Sequence, residues 1–398
     1  MGVPPVRAVV GDRHITAGFS EEGKLVTFFY PTVGAYDLVP YYTTKKPNNY
    51  LYGAPEHLGG FLGIVDIETD PAEVHWLLTP AKIDHRNDMP AFSFDYSLYN
   101  LKVDYTVFSP KGDDSVVYLV NVSNEADVPI NTGIAYYAFF DPANLNQNPY
   151  VFFTDEIKII GWGVKGLPRV KYDGGKLIWW KKATPIDKIT TSYIGFSSDL
   201  KEVVYVDAQK ADATDPLSNI PPTPLPINKG AFRHSYTIPQ EVPDDGTVFK
   251  GTYPEIGAYA MNGIQIWKVD IPAHSSETFR IVITAGESEE NVKSTIDNLL
   301  SQNTNQQVTE VANYWKQFLG TLRDNEYYKK LNNDEKQLME WWVMTLALNA
   351  DESSGAIIAS PNLIPKYYGS WPRDGTYQSL AWIALGYKDI AEKYFEFL

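Results

Sequence analysis

From about residue 5 to residue 285, apolar and polar positions alternate in short runs that are separated by turn-forming residues. Two examples are Ser115-Val-Val-Tyr-Leu-Val-Asn-Val122 and Glu277-Thr-Phe-Arg-Ile-Val-Ile283, which are rich in β-branched and aromatic residues. Runs of this kind that end at Gly, Pro, Asn or Asp are typical of β-strands. Many short strands with frequent turn signals predict a large antiparallel sandwich.

The pattern changes near residue 286, after which apolar positions recur at intervals of three and four residues. This spacing is typical of amphipathic helices. Ser288 is the predicted N-cap of the first helix, and acidic residues follow it in the first turn. The predicted helices span residues 289–300, 306–319, 334–350, a stretch that ends at Gly386, and 388–398.

Two of these helices carry pronounced apolar surfaces. In the third helix, the neighbours Trp341 and Trp342 are interpreted as core residues, and the helix is expected to be buried on more than one side. In the fourth helix, Ser370 or Asp374 is the expected cap of the first turn. Its predicted apolar face consists of Tyr377, Leu380, Ala381, Ile383 and Ala384.

The last predicted helix keeps its apolar face up to residue 398 and has no C-cap signal. Three helices from residue 334 onwards are too few to bury the aromatic surface that they carry. We therefore expect further helices to follow, in another chain or in a part of the protein outside this sequence. The pattern divides the sequence into a sandwich over 1–286, a helical linker over 287–330 and the first helices of a larger helical domain over 331–398.

Composition and charge narrow the classes of function. The chain has 398 residues, of which 44% are hydrophobic, and a net charge of −15. This charge repels polyanions, so nucleic acid and anionic membrane surfaces are not expected partners. No apolar leader and no apolar run of membrane-spanning length occur in the sequence. The default expectation is a soluble, cytoplasmic protein, and a mature secreted form whose leader has been removed remains an alternative.

Residue types also argue against several chemistries. The sequence has no cysteine, which excludes disulfides, thiolate metal sites and a cysteine nucleophile. The six histidines have no metal-ligand spacing. No glycine-rich nucleotide-binding pattern occurs between a strand and a helix. We expect no cofactor and no metal.

One stretch combines groups that suit a sugar. Residues 366–377 read Lys-Tyr-Tyr-Gly-Ser-Trp-Pro-Arg-Asp-Gly-Thr-Tyr, with adjacent Arg373 and Asp374. The rings offer a flat apolar surface, while the guanidinium donates hydrogen bonds to hydroxyl groups and the carboxylate accepts them. A structural Arg–Asp pair beneath a helix start explains the same residues, so the residues alone leave both interpretations open.

These residues, together with three other stretches, resemble a known family. Residues 15–25 and 28–34 resemble its opening strands, and residues 354–361 resemble its Gly-Ala-(Ile/Val)-Ala-Ala-Pro segment. The family is glycoside hydrolase family 15 of the prokaryotic type, which includes glucoamylase, glucodextranase and related trehalases. The resemblance implies an all-β supersandwich domain, linker helices and the start of an (α/α) six-hairpin barrel, which is the catalytic domain and would be incomplete here.

The resemblance also implies roles for individual residues. Arg373 and Asp374 would hydrogen-bond the terminal, non-reducing glucose of an α-glucan or oligosaccharide, and Tyr367 and Trp371 would form an aromatic wall. Gly369 stands where many family members have a further aromatic ring, so that part of the wall would differ. The two catalytic glutamates of the family lie on later barrel loops, and none falls within this sequence. The chain alone would then be inactive.

The function implied is that of an inverting, exo-acting α-glucosidase that releases glucose from α-glucans. The missing half of the barrel, present as a separate chain, would be a second partner besides the substrate. Trehalase or glucodextranase activity is an alternative within the family, because residues 366–377 would contact the terminal glucose and not the linkage. A non-catalytic carbohydrate-binding or regulatory protein is an alternative from a different class.

Overall fold

The alternating part of the sequence forms two sheets that pack face to face. In the computed structural model, the first sheet has 10 strands. These are β1 (Val6–Gly11), β2 (Thr16–Ser20), β3 (Leu25–Tyr30), β4 (Tyr36–Asp37), β5 (Gly59–Asp66), β6 (Glu73–Trp76), β11 (Ile130–Phe140), β15 (Val203–Lys210), β16 (Arg233–His234) and β17 (Met261–Ile271).

The second sheet has 8 strands, which lie in the order β12 (Asn148–Phe153), β13 (Ile160–Lys165), β14 (Tyr193–Ser198), β18 (Ser276–Gly286), β10 (Ser115–Asn124), β9 (Leu101–Phe108), β8 (Phe92–Leu98) and β7 (Lys82–His85). Within the part of the chain that the structure describes, the strand pairs of both sheets are antiparallel except for β15 with β16.

The predicted antiparallel sandwich is therefore confirmed. The structure describes residues 6–31, 33, 36–39, 59–68, 73–140, 148–153, 160–165, 193–210, 233–234, 261–361 and 369–398.

Strand β10 shows why its sequence is apolar on both faces. Val116, Tyr118 and Val120 belong to the core between the two sheets. Val117 points the other way and packs with the helices that cover the second sheet. A strand buried on both faces loses the simple alternation of a half-exposed strand. The helices thus form a third layer on one sheet of the sandwich.

The helices begin close to the predicted positions. Ser288 accepts a hydrogen bond from the Asn291 N–H at 3.1 Å, which confirms it as the N-cap of the first helix. The helix that contains Trp341 begins with a capping box between Asn332 and Glu335. No helix in the described part of the chain is both long and apolar enough to cross a bilayer. The helices are α1 (Glu289–Ser301), α2 (Thr304–Phe318), α3 (Gly320–Arg323), α4 (Glu326–Lys329), α5 (Asn333–Ala347), α6 (Pro372–Leu385) and α7 (Lys388–Phe397).

The interpretation of Trp342 as a core residue is wrong for the described chain, and the apolar face of α6 is exposed there. Trp341 packs against the core and meets the ring of His85 at 5.4 Å, but its neighbour Trp342 is 57% exposed. In α6, the predicted apolar face is turned outward, and Tyr377 is 71% exposed. The buried residues of α6 are Gly375, Ser379 and Trp382. Periodicity identifies an apolar stripe, but the small residues opposite it allow the closer approach to the neighbouring helix.

A single buried arginine joins the second sheet to the helices. Arg280 lies on β18 and is 6% exposed. Its Nη1 donates to the carbonyl oxygens of Leu299 and Gln302, both at 2.9 Å, and its Nη2 donates to that of Leu300. Its Nε donates to Asp199 at 3.0 Å. The last carbonyls of a helix have no partners within the helix, and here a strand residue supplies the donors.

The opposite end of these strands carries a charged junction with the helical part. The β1–β2 turn is closed by Asp12, whose Oδ2 also accepts from the Gly112 N–H at 2.8 Å. Lys111 donates to the Asp12 carbonyl at 2.9 Å and to Glu352 at 2.7 Å. Glu352 follows α5 and also accepts from the hydroxyl of Tyr314 on α2. Two sandwich turns, α2 and the segment after α5 therefore meet at this junction.

His14 adds a titratable group to the junction. Its Nδ1 lies 2.6 Å from the Asp114 carboxylate. This hydrogen bond raises the pKa of His14 to about 9, against a smaller lowering effect of partial burial. His14 is therefore protonated in the folded chain at neutral pH.

Arg280→Ala should lower the free energy of unfolding by about 3 kcal/mol, because it leaves several buried acceptors and the Asp199 carboxylate without their donor. Urea denaturation measures the loss. Arg7→Ala is the matched control, since Arg7 is also a strand arginine in an ion pair, with Glu21 at 3.5 Å, but both side chains are more than half exposed. Arg7→Ala should lower the free energy of unfolding by less than about 1 kcal/mol. Equal losses in the two variants would contradict the role of Arg280.

Stability should fall as pH rises through the window between about 6.5 and 9. The folded pKa of His14 lies above its unfolded value, so the stabilisation is complete below pH 6.5 and is lost as pH approaches about 9. After screening of the 36% exposed ring, we expect a loss of about 1 kcal/mol.

His14→Asn should remove this pH-dependent loss in urea denaturation at pH 6.5 and 9.5. His274→Asn is the control, because His274 pairs with Asp127 at a similar distance of 2.9 Å but on the exposed surface. An unchanged pH slope in His14→Asn would refute the assignment.

Candidate functional site

The Trp-Pro-Arg-Asp stretch lies at the N-terminus of α6. Trp371 occupies the cap position and Pro372 is the first helical residue. The expected caps Ser370 and Asp374 are wrong, because no side chain caps this helix. Proline lacks an N–H and has a preset φ, so it starts a helix with one donor fewer to satisfy. Asp374 instead lies inside the first turn, where the helix dipole favours a carboxylate.

Arg373 and Asp374 form a neighbouring donor and acceptor pair at this helix start. The Arg373 Nη2 and the Asp374 Oδ2 are 3.2 Å apart. The Arg373 side chain is 78% exposed, whereas that of Asp374 is 33% exposed. The contact with Asp374 involves one of the five guanidinium N–H groups, so most of the donors point toward solvent. An exposed donor fork beside a half-buried carboxylate can pair with the hydroxyl groups of a bound molecule.

Trp371 supplies an apolar surface beside this pair. Its side chain is 43% exposed. The Tyr394 hydroxyl of α7 donates to the Trp371 carbonyl at 3.2 Å and so fixes the backbone at the cap position. Burial raises the pKa of Tyr394, which keeps this hydroxyl protonated as a donor. Tyr394 was not predicted as a site residue, and nothing in its local sequence distinguishes it from a core tyrosine.

Gly375 allows the approach of Tyr394. A Cβ at position 375 would lie 2.1 Å from both the Cζ and the hydroxyl oxygen of Tyr394. The Tyr394 side chain is completely buried and packs against α6. A glycine in the first turns of a helix is disfavoured by propensity, so this position is a local signal that sequence reasoning could have used.

The segment before this stretch connects the site to the sandwich. Ile358 forms a buried cluster with Phe29 and Val33 of the first sheet region. The Ile358 carbonyl accepts from Gln378 Nε2 of α6 at 2.8 Å, and its N–H donates to the Asn349 carbonyl. The strands at the start of the chain therefore support the helix that carries Arg373 and Asp374.

Three of the four predicted site residues are thus brought together at one helix start: Trp371, Arg373 and Asp374. The fourth, Tyr367, lies outside the described residues. Among the residues that the structure describes, no group of three or more His, Asp or Glu side chains could hold a metal ion. The arrangement that remains is a ring, a cation with exposed donors and a carboxylate.

Two solved structures share the fold of this chain. A bacterial glucoamylase solved in complex with acarbose superposes with a TM-score of 0.59 at 15% sequence identity, covering 98% of this chain and 49% of that structure. A human-microbiome protein assigned as a kojibiose phosphorylase gives a TM-score of 0.53 at 10% identity, over 98% of this chain and 45% of that one. The described chain therefore shares the fold of about half of each of these two structures.

Sequence comparison points to a relative of the same kind. Over 135 residues the chain is 29% identical to an uncharacterized glycosyl hydrolase of Methanocaldococcus jannaschii, covering 33% of this chain and 22% of that protein. No protein-family model matches the chain. The chain spans about half of the two solved structures and a smaller part of the archaeal relative.

Gly375→Ala should destabilise the chain. Helix propensity favours alanine by about 1 kcal/mol, but the new Cβ would overlap the buried Tyr394 ring at a cost of about 2–3 kcal/mol. Thermal unfolding should therefore show a lower midpoint. Gly320→Ala is the control, because its Cβ would meet nothing within 4 Å, and its midpoint should not fall. A midpoint of Gly375→Ala at or above that of the unchanged chain would contradict this packing.

Proposed function

We propose that this chain is the sugar-holding part of an inverting, exo-acting α-glucosidase of the glucoamylase type, which releases glucose from the non-reducing ends of α-glucans. The observation that carries the proposal is the joint placement of Trp371, Arg373 and Asp374 at one helix start within a glucoamylase-like fold. A glycoside-processing role is also supported by the archaeal glycosyl hydrolase relative.

The chemistry of the three side chains supports sugar binding. The Asp374 carboxylate can accept protons from two sugar hydroxyls, and Arg373 is a permanent donor that also orients Asp374. The exposed ring of Trp371 can stack on the apolar face of a pyranose. Tyr367 would add to this wall. Sites that pair hydroxyls in this manner reject analogues that lack them, because the protein groups would lose their partners.

Bond cleavage needs groups that this sequence does not supply under the proposal. An inverting glycosidase uses two carboxyl groups about 6.5–9.5 Å apart, one as acid and one as base. We propose that both are glutamates on later barrel loops, since the chain spans 49% of the matched glucoamylase. The residues described above bind and orient the terminal glucose and take no part in proton transfer.

Exposed apolar faces on α5 and α6 are consistent with catalytic groups that lie on further helical structure outside this sequence. Leu338 and Trp342 of α5 are 51% and 57% exposed, and Leu380 and Ile383 of α6 are 57% and 43% exposed. We propose that the remaining helices of an (α/α) six-hairpin barrel cover these faces, either within a longer protein or as a separate chain. Burial of such side chains contributes about 1.5–3 kcal/mol each, which favours a stable partner over solvent.

A second candidate function comes from the other structural match. The fold is shared over 98% of this chain with the protein assigned as a kojibiose phosphorylase. The Trp371–Asp374 site would hold a terminal glucose in that reaction too. Trehalase and glucodextranase activities are compatible with the same site. Assays on maltose, trehalose, isomaltose and kojibiose, each with and without inorganic phosphate, separate these activities by substrate and by product.

Asp374→Ala in the complete enzyme should lower kcat/KM on maltooligosaccharides by about 100-fold or more, because two hydroxyls lose a charged acceptor. The matched control is Asp389→Ala, which removes an acidic residue from the first turn of α7 instead of α6. Its activity should stay within about twofold of the unchanged enzyme.

Acarbose binding to the 398-residue chain tests the role of Asp374 independently of turnover. Acarbose, the ligand of the matched glucoamylase, should bind this chain more weakly after Asp374→Ala but not after Asp389→Ala. Near-normal turnover and near-normal acarbose binding in Asp374→Ala would exclude this residue from the sugar site. Sugar binding without any turnover in the complete protein would instead favour a regulatory or carbohydrate-binding role.

A further inference from the structure

A cleft of about 520 Å³ opens at the end of the sandwich where β8 turns into β9. Both sheets line it: the ends of β5, β11 and β17 form one side, and the β8–β9 turn forms the other. Ile64, Leu101 and Ile271 of the sandwich core form part of its lining. Its described lining includes no helical residue, so the cleft is separate from the site on α6.

Tyr99 at the mouth of the cleft occupies an unfavourable backbone conformation. It is the first of two residues in the turn between the paired Leu98 and Leu101, and its φ is +53°. Two-residue hairpin turns favour Gly or Asn at positions of positive φ. Tyr99 is nevertheless 86% exposed, so core packing does not explain the tyrosine. Strained residues of this kind, when the fold does not require them, point to function.

The ring of Tyr99 is positioned as a platform. His75 of β6 meets it edge to face, with ring centroids 5.7 Å apart. This contact orients the tyrosine ring while most of its surface remains accessible. A flat, accessible ring at the edge of an apolar cleft is suited to stacking against another flat apolar face.

The polar lining of the cleft offers several hydrogen-bond acceptors. Asn131 lines it, and its Oδ1 is buried without a hydrogen-bond partner among the described residues. The charged side chains in the lining are Asp66, Glu68 and Asp270; the Asp66 Oδ1 accepts from the Glu68 N–H at 3.0 Å, and Asp270 pairs with Lys268 at 3.4 Å. These groups repel anions and accept hydrogen bonds from donors. A neutral ligand with many hydroxyl groups satisfies both conditions.

We propose that this cleft is a second carbohydrate-binding site, which holds a neutral oligosaccharide by stacking a sugar ring on Tyr99 and accepting hydroxyl hydrogen bonds at Asn131 and Asp66. The geometry of the cleft carries the inference that it binds a sugar. The choice of an α-glucan as the sugar rests on the proposed function. The cleft would anchor a glucan chain on the sandwich, away from the helix that grips the terminal glucose.

Calorimetric titration of the 398-residue chain with maltoheptaose tests the proposal. Tyr99→Asn should weaken binding about tenfold, because it removes the stacking ring. Asparagine tolerates positive φ, so the thermal midpoint of this variant should equal or exceed that of the unchanged chain. Tyr327→Asn is the matched control, since Tyr327 is a similarly exposed tyrosine, at 79%, on α4. Its maltoheptaose affinity should not change.

Hydroxyl-radical footprinting locates the bound sugar. Maltoheptaose should protect Tyr99 and His75 from oxidation and leave Tyr327 unprotected. The same protection should persist in Asp374→Ala, which separates this proposal from the one for the α6 site. If that proposed function is wrong, Asp374→Ala changes no sugar binding, yet the Tyr99 effects remain.

Three results would overturn the second site: no binding of maltoheptaose, equal affinity in Tyr99→Asn and the unchanged chain, or no protection of Tyr99. Spermidine serves as a cationic probe of the carboxylates. Binding of spermidine that depends on Tyr99, without binding of maltoheptaose, would identify a cation site and likewise overturn the proposal.

Discussion

The guanidinium of Arg280 is the contact on which the arrangement of sheet and helices depends. It is one of the few fully charged groups buried in the described chain, and it donates to three carbonyls at the end of α1 as well as to Asp199. A helix end buried against a sheet needs donors for its last carbonyls. α1 has no basic residue in its last turn, so the donor comes from β18. The sheet thereby fixes where α1 ends and α2 begins.

The covered sheet and the charged junction follow from that arrangement. With α1 held on β18, Val117 and Val282 become core residues shared with Val292. Burial of apolar side chains does not by itself set how the helices are oriented on the sheet, because the hydrophobic effect is non-directional. The hydrogen bonds that Lys111 and Tyr314 donate to Glu352 supply direction at the far strand ends, since hydrogen-bond geometry tolerates little displacement. Two polar contacts at opposite ends therefore orient a largely apolar interface.

The sequence predicted the parts of this structure that local rules control. Alternation predicted the sandwich, and Ser288 marked the start of α1 within one residue. The inward face of α6 and the exposure of Trp342 could not be predicted, because both depend on which surfaces neighbouring elements offer. The roles of Arg280 and Tyr394 could not be predicted either, since each donates hydrogen bonds to backbone carbonyls about 20 residues away in sequence. Residues 371–374 lie at the start of a helix as predicted, but no side chain caps it, and their role as a sugar site stays a prediction. The division into 1–286, 287–330 and 331–398 stays a prediction.

Two positions break local rules, and their reasons differ. Gly375 is unfavourable for helix formation, but the Tyr394 ring occupies the place where a Cβ would lie. The packing of α6 therefore explains the glycine. Tyr99 has a positive φ at a turn, and among the described residues its edge-to-face contact with His75 leaves the tyrosine 86% exposed. A broken rule with a structural compensation is explained by the fold, whereas one that burial does not compensate points to a functional role. By this criterion the turn of the sandwich is a stronger indicator of an unrecognised ligand than any glycine in the helices.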